Sequence, residues 1–118
     1  MKGAALAGAG LAALVLAGCS SGGSGGGEKV AINATDTVCD VAKTQYTPGN
    51  YTFIVTNKGS DVTEVYVYAA GNKVVTEKEH IGPGTQANFT VTLKAGDFEI
   101  ACKPGEKGNG IRQKITVA

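Results

Sequence analysis

Residues 87–93 have the sequence ANFTVTL, in which every second residue is apolar. This two-residue period places Phe89, Val91 and Leu93 on one face of an extended strand and the polar residues on the other. Such alternation is typical of a β-strand that buries only one face. The stretch therefore predicts a half-buried strand whose apolar face packs on a core.

The same alternation recurs elsewhere in the chain, whereas no stretch has the apolar spacing of an amphipathic α-helix. Turn-forming Gly, Pro and Asn residues separate the alternating segments. We therefore predict an all-β fold, a Greek-key sandwich of about eight strands in two sheets. The apolar positions that carry this prediction, besides those above, are Val30, Ile32, Ala34, Tyr51, Phe53, Val55, Val65, Val67, Phe98 and Ile100.

Composition limits the size and the class of the protein. The chain has 118 residues, with 11 Lys and Arg against 10 Asp and Glu. After removal of a signal peptide, this length suffices for one domain of ordinary size. The near-neutral charge excludes a surface field strong enough to hold a polyanion, so we predict no nucleic-acid partner.

Residues 1–18 are predicted to be a lipoprotein signal peptide. Lys2 supplies a positive charge, an Ala- and Leu-rich stretch follows, and residues 16–19 (LAGC) resemble a bacterial lipobox. The resemblance implies cleavage before Cys19 and a lipid attached to its thiol. The alternatives are an ordinary signal with a chance cysteine and a transmembrane helix, although the apolar run is shorter than the roughly 20 residues that span a bilayer.

A tether is predicted between this lipid anchor and the folded domain. Residues 19–28 contain the lipidated Cys19 and a Gly/Ser run with no apolar side chain to bury, so they should behave as a flexible linker. The domain then occupies residues 29–118. Together these segments predict an extracytoplasmic protein of the periplasm or cell envelope, held at the cell membrane through Cys19.

Few residues could support catalysis. Nucleophilic catalysis needs an activated nucleophile beside a base, and the chain contains one histidine, His80. We therefore predict that the protein is not an enzyme and that His80 is a solvated turn residue. Glu77 and Glu79 lie two apart and share one strand face, which fits either a weak cation site or an ordinary solvated face.

Cys39 and Cys102 admit two interpretations. Cys102 continues the alternation of Phe98 and Ile100, so its side chain should point into the core. Outside the cytoplasm two such thiols most often pair, and a disulfide would stabilise the fold by about 4 kcal/mol in the chain-entropy model. The alternative is a soft metal site in which Cys102 is a thiolate ligand, with Cys39 and a carboxylate beside it.

Several segments form a specific pattern: residues 47–53 (TPGNYTF), Glu64 followed by a Val-Tyr-Val-Tyr strand, residues 74–84 (VVTEKEHIGPG), residues 96–102 (GDFEIAC) and residues 102–105 (CKPG). Together they resemble the cupredoxin-like domain of the EfeO family of iron-uptake proteins. The resemblance covers nearly all of the predicted domain. It implies an eight-stranded Greek-key cupredoxin fold and a role in handling ferric iron or copper.

The resemblance also implies a metal site. Carried over by position, this site consists of Cys39, Glu64 and Cys102, which should converge at one end of the sandwich, with Glu64 where a copper protein has its first histidine. A type 1 blue-copper centre needs two His, one Cys and usually a weak axial Met. No His or Met follows Cys102, and Glu106 stands where the Met is expected, so type 1 copper is not predicted.

Two functions follow from these observations. The leading hypothesis is a membrane-anchored, extracytoplasmic cupredoxin-like domain that binds or delivers an iron or copper ion, as in EfeO-type iron uptake, with metal-uptake proteins as partners. The alternative is a metal-free, disulfide-stapled β-sandwich that serves as a binding or scaffold module. One-electron transfer is a third possibility, and it requires a redox-active metal.

Overall fold

The structure is a computed structural model that describes residues 27–118. The predicted signal peptide, the lipidated Cys19 and nearly all of the tether lie outside these residues, and their assignment stays a prediction. No helix in the described part is long and apolar enough to cross a membrane.

The strands are β1 (Glu28–Ala34), β2 (Cys39–Val41), β3 (Gln45–Tyr46), β4 (Gly49–Asn57), β5 (Thr63–Ala69), β6 (Lys73–Ile81), β7 (Gln86–Leu93), β8 (Gly96–Cys102) and β9 (Ile111–Val117), and a 3₁₀ turn covers Pro104–Glu106.

These nine strands form two sheets, so the predicted all-β sandwich is confirmed. The first sheet has the order β2-β1-β4-β7 and the second the order β3-β9-β8-β5-β6. β1 runs parallel to β4 and β3 runs parallel to β9, while the other neighbours are antiparallel. β5 therefore lies between β8 and β6, and this position decides which side chains can meet beside Glu64.

The core lies between the two sheets and contains the residues that the alternation places on the inner faces. Phe53 on β4 is fully buried and its ring lies 5.4 Å from that of Phe89, its cross-strand partner on β7. Val65 and Val67 on β5 and Ile100 on β8 close the core from the other sheet and are also fully buried. Removal of these apolar side chains from water is the main stabilising contribution to such a sandwich.

Asn57 is a buried polar residue that ties the end of β4 to the end of β6. It is only 1% exposed, and its amide nitrogen donates to the carbonyl oxygens of Asp61 and Ile81, both at 2.8 Å. Its amide oxygen accepts a hydrogen bond from the Gly59 N–H, also at 2.8 Å. Because buried polar groups need partners, this side chain fixes where β6 ends beside the start of β5.

Asn57→Ala is expected to lower the free energy of unfolding by roughly 2–3 kcal/mol, because the buried carbonyl of Ile81 and the part-buried carbonyl of Asp61 lose their donor. Urea unfolding followed by circular dichroism measures this loss. Asn88→Ala is the matched control, since Asn88 is an exposed residue on β7. Equal losses in the two variants would show that Asn57 has no special role in holding the two strand ends.

Candidate metal centre

Cys39 and Cys102 form a disulfide that links the two sheets. Cys39 begins β2 and Cys102 ends β8, their Cα atoms lie 5.5 Å apart, and 63 positions separate them in the sequence. Both side chains belong to the buried core, as the alternation along β8 predicted for Cys102. The disulfide alternative is therefore the one that the structure contains, and in this form neither sulfur is a thiolate ligand.

Glu64 is turned away from the two sulfur atoms. Its neighbour Val65 points into the core and is the backbone partner of Cys102 on β8. Since successive strand residues point to opposite faces, the Glu64 side chain lies on the outer face of the sheet. The site inferred from the resemblance, Cys39 with Glu64 and Cys102, is thus divided: the cysteines are bonded to each other, and Glu64 belongs to a different group of side chains.

Three carboxylates converge on the outer face of β5 and β6. Glu64 on β5 and Glu77 and Glu79 on β6 each offer an oxygen atom, and these oxygens all lie within 4.8 Å of one another. Glu64 is only 8% exposed, and the positive charge of Lys103 acts on its carboxylate. Glu77 and Glu79 are exposed. The group therefore joins one largely buried glutamate, on which the Lys103 ammonium acts, to two glutamates that are exposed to solvent.

A β-bulge beside Glu64 shapes this group. The register of β5 and β6 shifts so that two residues of β6, Glu79 and His80, face the single residue Glu64. β-Bulges re-aim side chains and are frequent beside functional sites. His80 has a φ of 59°, a left-handed conformation that is uncommon outside glycine. The bulge thus leaves Glu79 facing Glu64 and turns His80 toward the 3₁₀ turn.

His80 contacts Glu106 of that turn. Its backbone N–H donates to Oε2 of Glu106 at 2.8 Å, and its ring Nδ1 lies 2.8 Å from the same oxygen. The other ring nitrogen lies 3.7 Å from Oε1 of Glu79. The His80 side chain is 77% exposed, in line with a solvated residue, but it lies at the end of β6 and not in a turn.

Negative charge and burial both raise the pKa values of Glu64 and Glu79. Burial is the main cause that raises the pKa of Glu64, and the charge of Glu106 adds to it, while the Lys103 ammonium acts in the opposite direction. Hydrogen bonding to Glu77 and repulsion from its charge raise the pKa of Glu79. The metal-free cluster therefore favours bound protons, and a cation would relieve the same repulsion.

These raised pKa values make the stability of the metal-free protein depend on pH. A carboxyl group with a raised folded-state pKa stabilises the fold below its ordinary value of 4.5, and this contribution is lost as the pH rises through the folded-state pKa. We expect Glu64→Gln to be more stable than the unchanged protein at neutral pH, with the difference shrinking toward pH 4.5. Thermal unfolding across this range measures the difference, and Asp40→Asn, which alters an exposed carboxylate on β2, is the control. Parallel profiles for the unchanged protein and Glu64→Gln would contradict the electrostatic assignment.

The sequence held one signal that could have joined these three carboxylates. The two-residue spacing of Glu77 and Glu79 indicates a possible weak cation site on one strand face, and it does not include Glu64. The Gly71-Asn72 turn between the two strands is typical of a hairpin, and a hairpin makes β5 and β6 antiparallel neighbours. The register of β5 against β6, with its bulge beside Glu64, is visible only in the structure.

The donor atoms of the cluster do not suit the blue copper that a cupredoxin fold commonly holds. Type 1 copper needs two imidazoles and a thiolate. The one histidine of the chain is His80, and Cys102 is held in the disulfide. Carboxylate oxygens, in contrast, are the donors that hard cations prefer. The residues present therefore fit a hard cation and do not fit a type 1 centre.

Comparisons with known proteins agree with the predicted cupredoxin-like sandwich. The model of a family described as cupredoxin-like domain matches residues 8–117. Among solved structures, the chain resembles Na-dithionite reduced auracyanin from the photosynthetic bacterium Roseiflexus castenholzii, with a TM-score of 0.61 and 15% identity over 80% of this chain and 99% of that chain. It also resembles a proline-to-glycine mutant of amicyanin in its reduced Cu(I) form at pH 4, with a TM-score of 0.47 and 15% identity over 78% of this chain and 83% of that one. No curated protein matches the chain.

Proposed function

The chain belongs to the cupredoxin-like domain family, and we propose that it uses this fold to bind a hard metal cation, with ferric iron as the cargo. The observation that supports this most is the convergence of Glu64, a largely buried residue, with Glu77 and Glu79, since their carboxylate oxygens lie within 4.8 Å of one another. Burial and neighbouring negative charge disfavour the ionised form of Glu64. A bound cation would add to the positive charge that Lys103 already supplies.

Ferric iron fits this donor set better than calcium or copper. Three carboxylates carry up to three negative charges, which match a trivalent ion. Calcium carries only two charges, and its sites usually add backbone or amide carbonyl oxygens to the carboxylates. Cuprous copper prefers thiolates, and the disulfide between Cys39 and Cys102 removes the two sulfur ligands nearest to the site.

The setting that we propose is EfeO-type iron uptake at the cell surface. A lipid on Cys19 would anchor the domain outside the cytoplasm, where a disulfide persists. Because Glu77 and Glu79 are exposed, an ion held there could pass to a partner protein of metal uptake without the domain unfolding. In this role the domain captures and transfers an ion and carries out no chemical turnover.

A metal-free scaffold is the second candidate. The disulfide favours it, because a covalent link between the sheets stabilises the sandwich without any metal. In that case the acidic group would be an ordinary solvated face. Electron transfer has less support, because the residues present do not fit a type 1 copper centre.

Equilibrium dialysis of the purified protein distinguishes these candidates. The protein is dialysed separately against ferric nitrilotriacetate, calcium chloride and a cuprous chelate, and bound metal is measured by mass spectrometry. We expect about one ferric ion per chain, as a single carboxylate cluster allows, and no retained copper while the disulfide is intact. Protein that retains no ferric iron would contradict the proposal and favour the scaffold.

A further inference from the structure

The chain enters the sandwich at one end, and the strand pairing aligns both sheets on that end. Glu28, the first residue of β1, is the parallel partner of Tyr51 near the start of β4. Gly49, the first residue of β4, pairs with Leu93, the last residue of β7. Two residues then connect β7 to the start of β8 in the other sheet, so β1 and β8 begin at the same end. We call this the entry end.

Four exposed lysines lie toward the entry end. Lys29 is the second residue of β1, and Lys94 directly follows β7. Lys73 begins β6 opposite the last residue of β5, and that residue pairs with the third residue of β8. Lys114 on β9 pairs with the fourth residue of β8. The entry end therefore presents lysines from both sheets.

Few acidic groups at the entry end oppose these lysines. Glu28 forms an ion pair with Lys43 at 2.9 Å, and Glu99 forms one with Arg112 at 3.1 Å. Within residues 27–118, the other acidic groups near this end are Asp97 and the carboxyl group of the last residue. The entry end thus carries an excess of positive charge.

The opposite end of the sandwich carries an excess of negative charge. The acidic side chains toward that end, Asp36, Asp40, Asp61, Glu64, Glu79 and Glu106, outnumber the lysines there. β4 has nine residues and therefore spans roughly 30 Å between the two ends. This length is about three Debye lengths at 0.1 M salt, so a charged surface at one end acts weakly on the other.

The predicted tether keeps the entry end close to the membrane. Residues 19–26 separate Cys19 from the part of the chain that the structure describes, and eight residues reach at most about 30 Å. So short a link gives the lysines a high effective concentration at the lipid surface. Because each lysine near an anionic membrane is attracted to it, a few of them suffice to orient a tethered domain.

We propose that the entry end docks on the anionic lipid headgroups of the membrane that holds the anchor, through Lys29, Lys73, Lys94 and Lys114. The inference rests on the lipid predicted at Cys19 and is independent of metal binding. Docking turns the opposite end, with its acidic side chains, away from the membrane. The carboxylate cluster at Glu64 then faces the side from which ions and partner proteins arrive.

Lysine acetylation on vesicles tests this orientation. The lipidated full-length protein is reconstituted into vesicles of phosphatidylcholine alone and of equal parts phosphatidylcholine and phosphatidylglycerol. A water-soluble reagent acetylates the lysines briefly, and peptide mass spectrometry gives the modified fraction of each. The four lysines of the entry end should react at least about threefold more slowly on the anionic vesicles. Lys58 and Lys107, exposed toward the opposite end, are internal controls whose rates should change far less.

Paired variants separate docking from a general effect of the lipid. Lys29→Gln combined with Lys94→Gln should restore the reaction of Lys73 on anionic vesicles, because the remaining attraction is too weak to hold the end down. Lys58→Gln combined with Lys107→Gln is the matched control and should leave Lys73 protected. Both variants alter exposed side chains only, so the fold should be kept.

The possible outcomes separate docking from anchoring. Protection that disappears at about 1 M salt, where the Debye length is about 3 Å, supports an electrostatic contact. Equal rates on both kinds of vesicle, or slower reaction of Lys58 and Lys107 alone, would overturn the docking. Protein that is recovered with neither kind of vesicle would overturn the anchor and the docking together, and would leave ferric binding to its own measurement.

Discussion

Glu64→Gln is expected to weaken ferric binding by at least about 100-fold. Glu64 is the least exposed member of the cluster, and one of its carboxylate oxygens lies within 4.8 Å of those of Glu77 and Glu79. Glutamine keeps the size of the side chain and an oxygen atom, but it removes the negative charge. The loss of ferric affinity in Glu64→Gln therefore measures the contribution of the negative charge, because the shape of the side chain is unchanged.

Competition against a coloured iron chelator measures this loss. Asp40→Asn is the control, because it removes one negative charge from an exposed position on β2, in the other sheet. We expect the affinity of Asp40→Asn to stay within about twofold of the unchanged protein, since solvent and salt screen an exposed charge on the other sheet. Similar affinities for Glu64→Gln and Asp40→Asn would show that iron binds elsewhere.

Removal of the disulfide is expected to have the largest effect on stability. The bond closes a loop of 63 positions between β2 and β8, and the chain-entropy model gives a stabilisation of about 4 kcal/mol for such a loop. A small domain has roughly 5–10 kcal/mol in total. The double variant Cys39→Ala and Cys102→Ala should therefore unfold about 15–30 °C lower than the unchanged protein.

Scanning calorimetry measures this shift. Ferric binding well below the new unfolding temperature should persist in the double variant, because the carboxylates lie on the outer face and the sulfur atoms lie in the core. A shift of only a few degrees would mean that packing, and not the covalent link, holds the two sheets together. Loss of iron binding in a folded double variant would mean that the cysteines are part of the metal site.

The alternation of apolar residues was sufficient to predict the fold class, and it failed where strands are short or polar. β2 has three residues and β3 has two, which is too short for a period to be visible. β9 begins at Ile111 and continues with polar Arg112, Gln113 and Lys114, and only Ile115 and Val117 are buried. These strands form through pairing with neighbours that the sequence does not identify.

For the candidate site, the sequence identified individual residues better than it identified their neighbours. The alternation along β8 placed Cys102 in the core, and the same argument applied to Val65 places Glu64 on the opposite face of β5. The convergence of Glu64 with the cysteines was inferred from family resemblance and disagrees with that alternation. The pairing with Glu77 and Glu79 depends on a bulged register, which no local pattern reveals.

Anomalous X-ray diffraction at the iron absorption edge, from crystals of the protein loaded with ferric iron, tests the proposed site most directly. We predict a peak bounded by the carboxylates of Glu64, Glu77 and Glu79, with the disulfide between Cys39 and Cys102 intact. A peak beside the sulfur of Cys102, or iron held only at other surface carboxylates, would contradict the proposed ferric site.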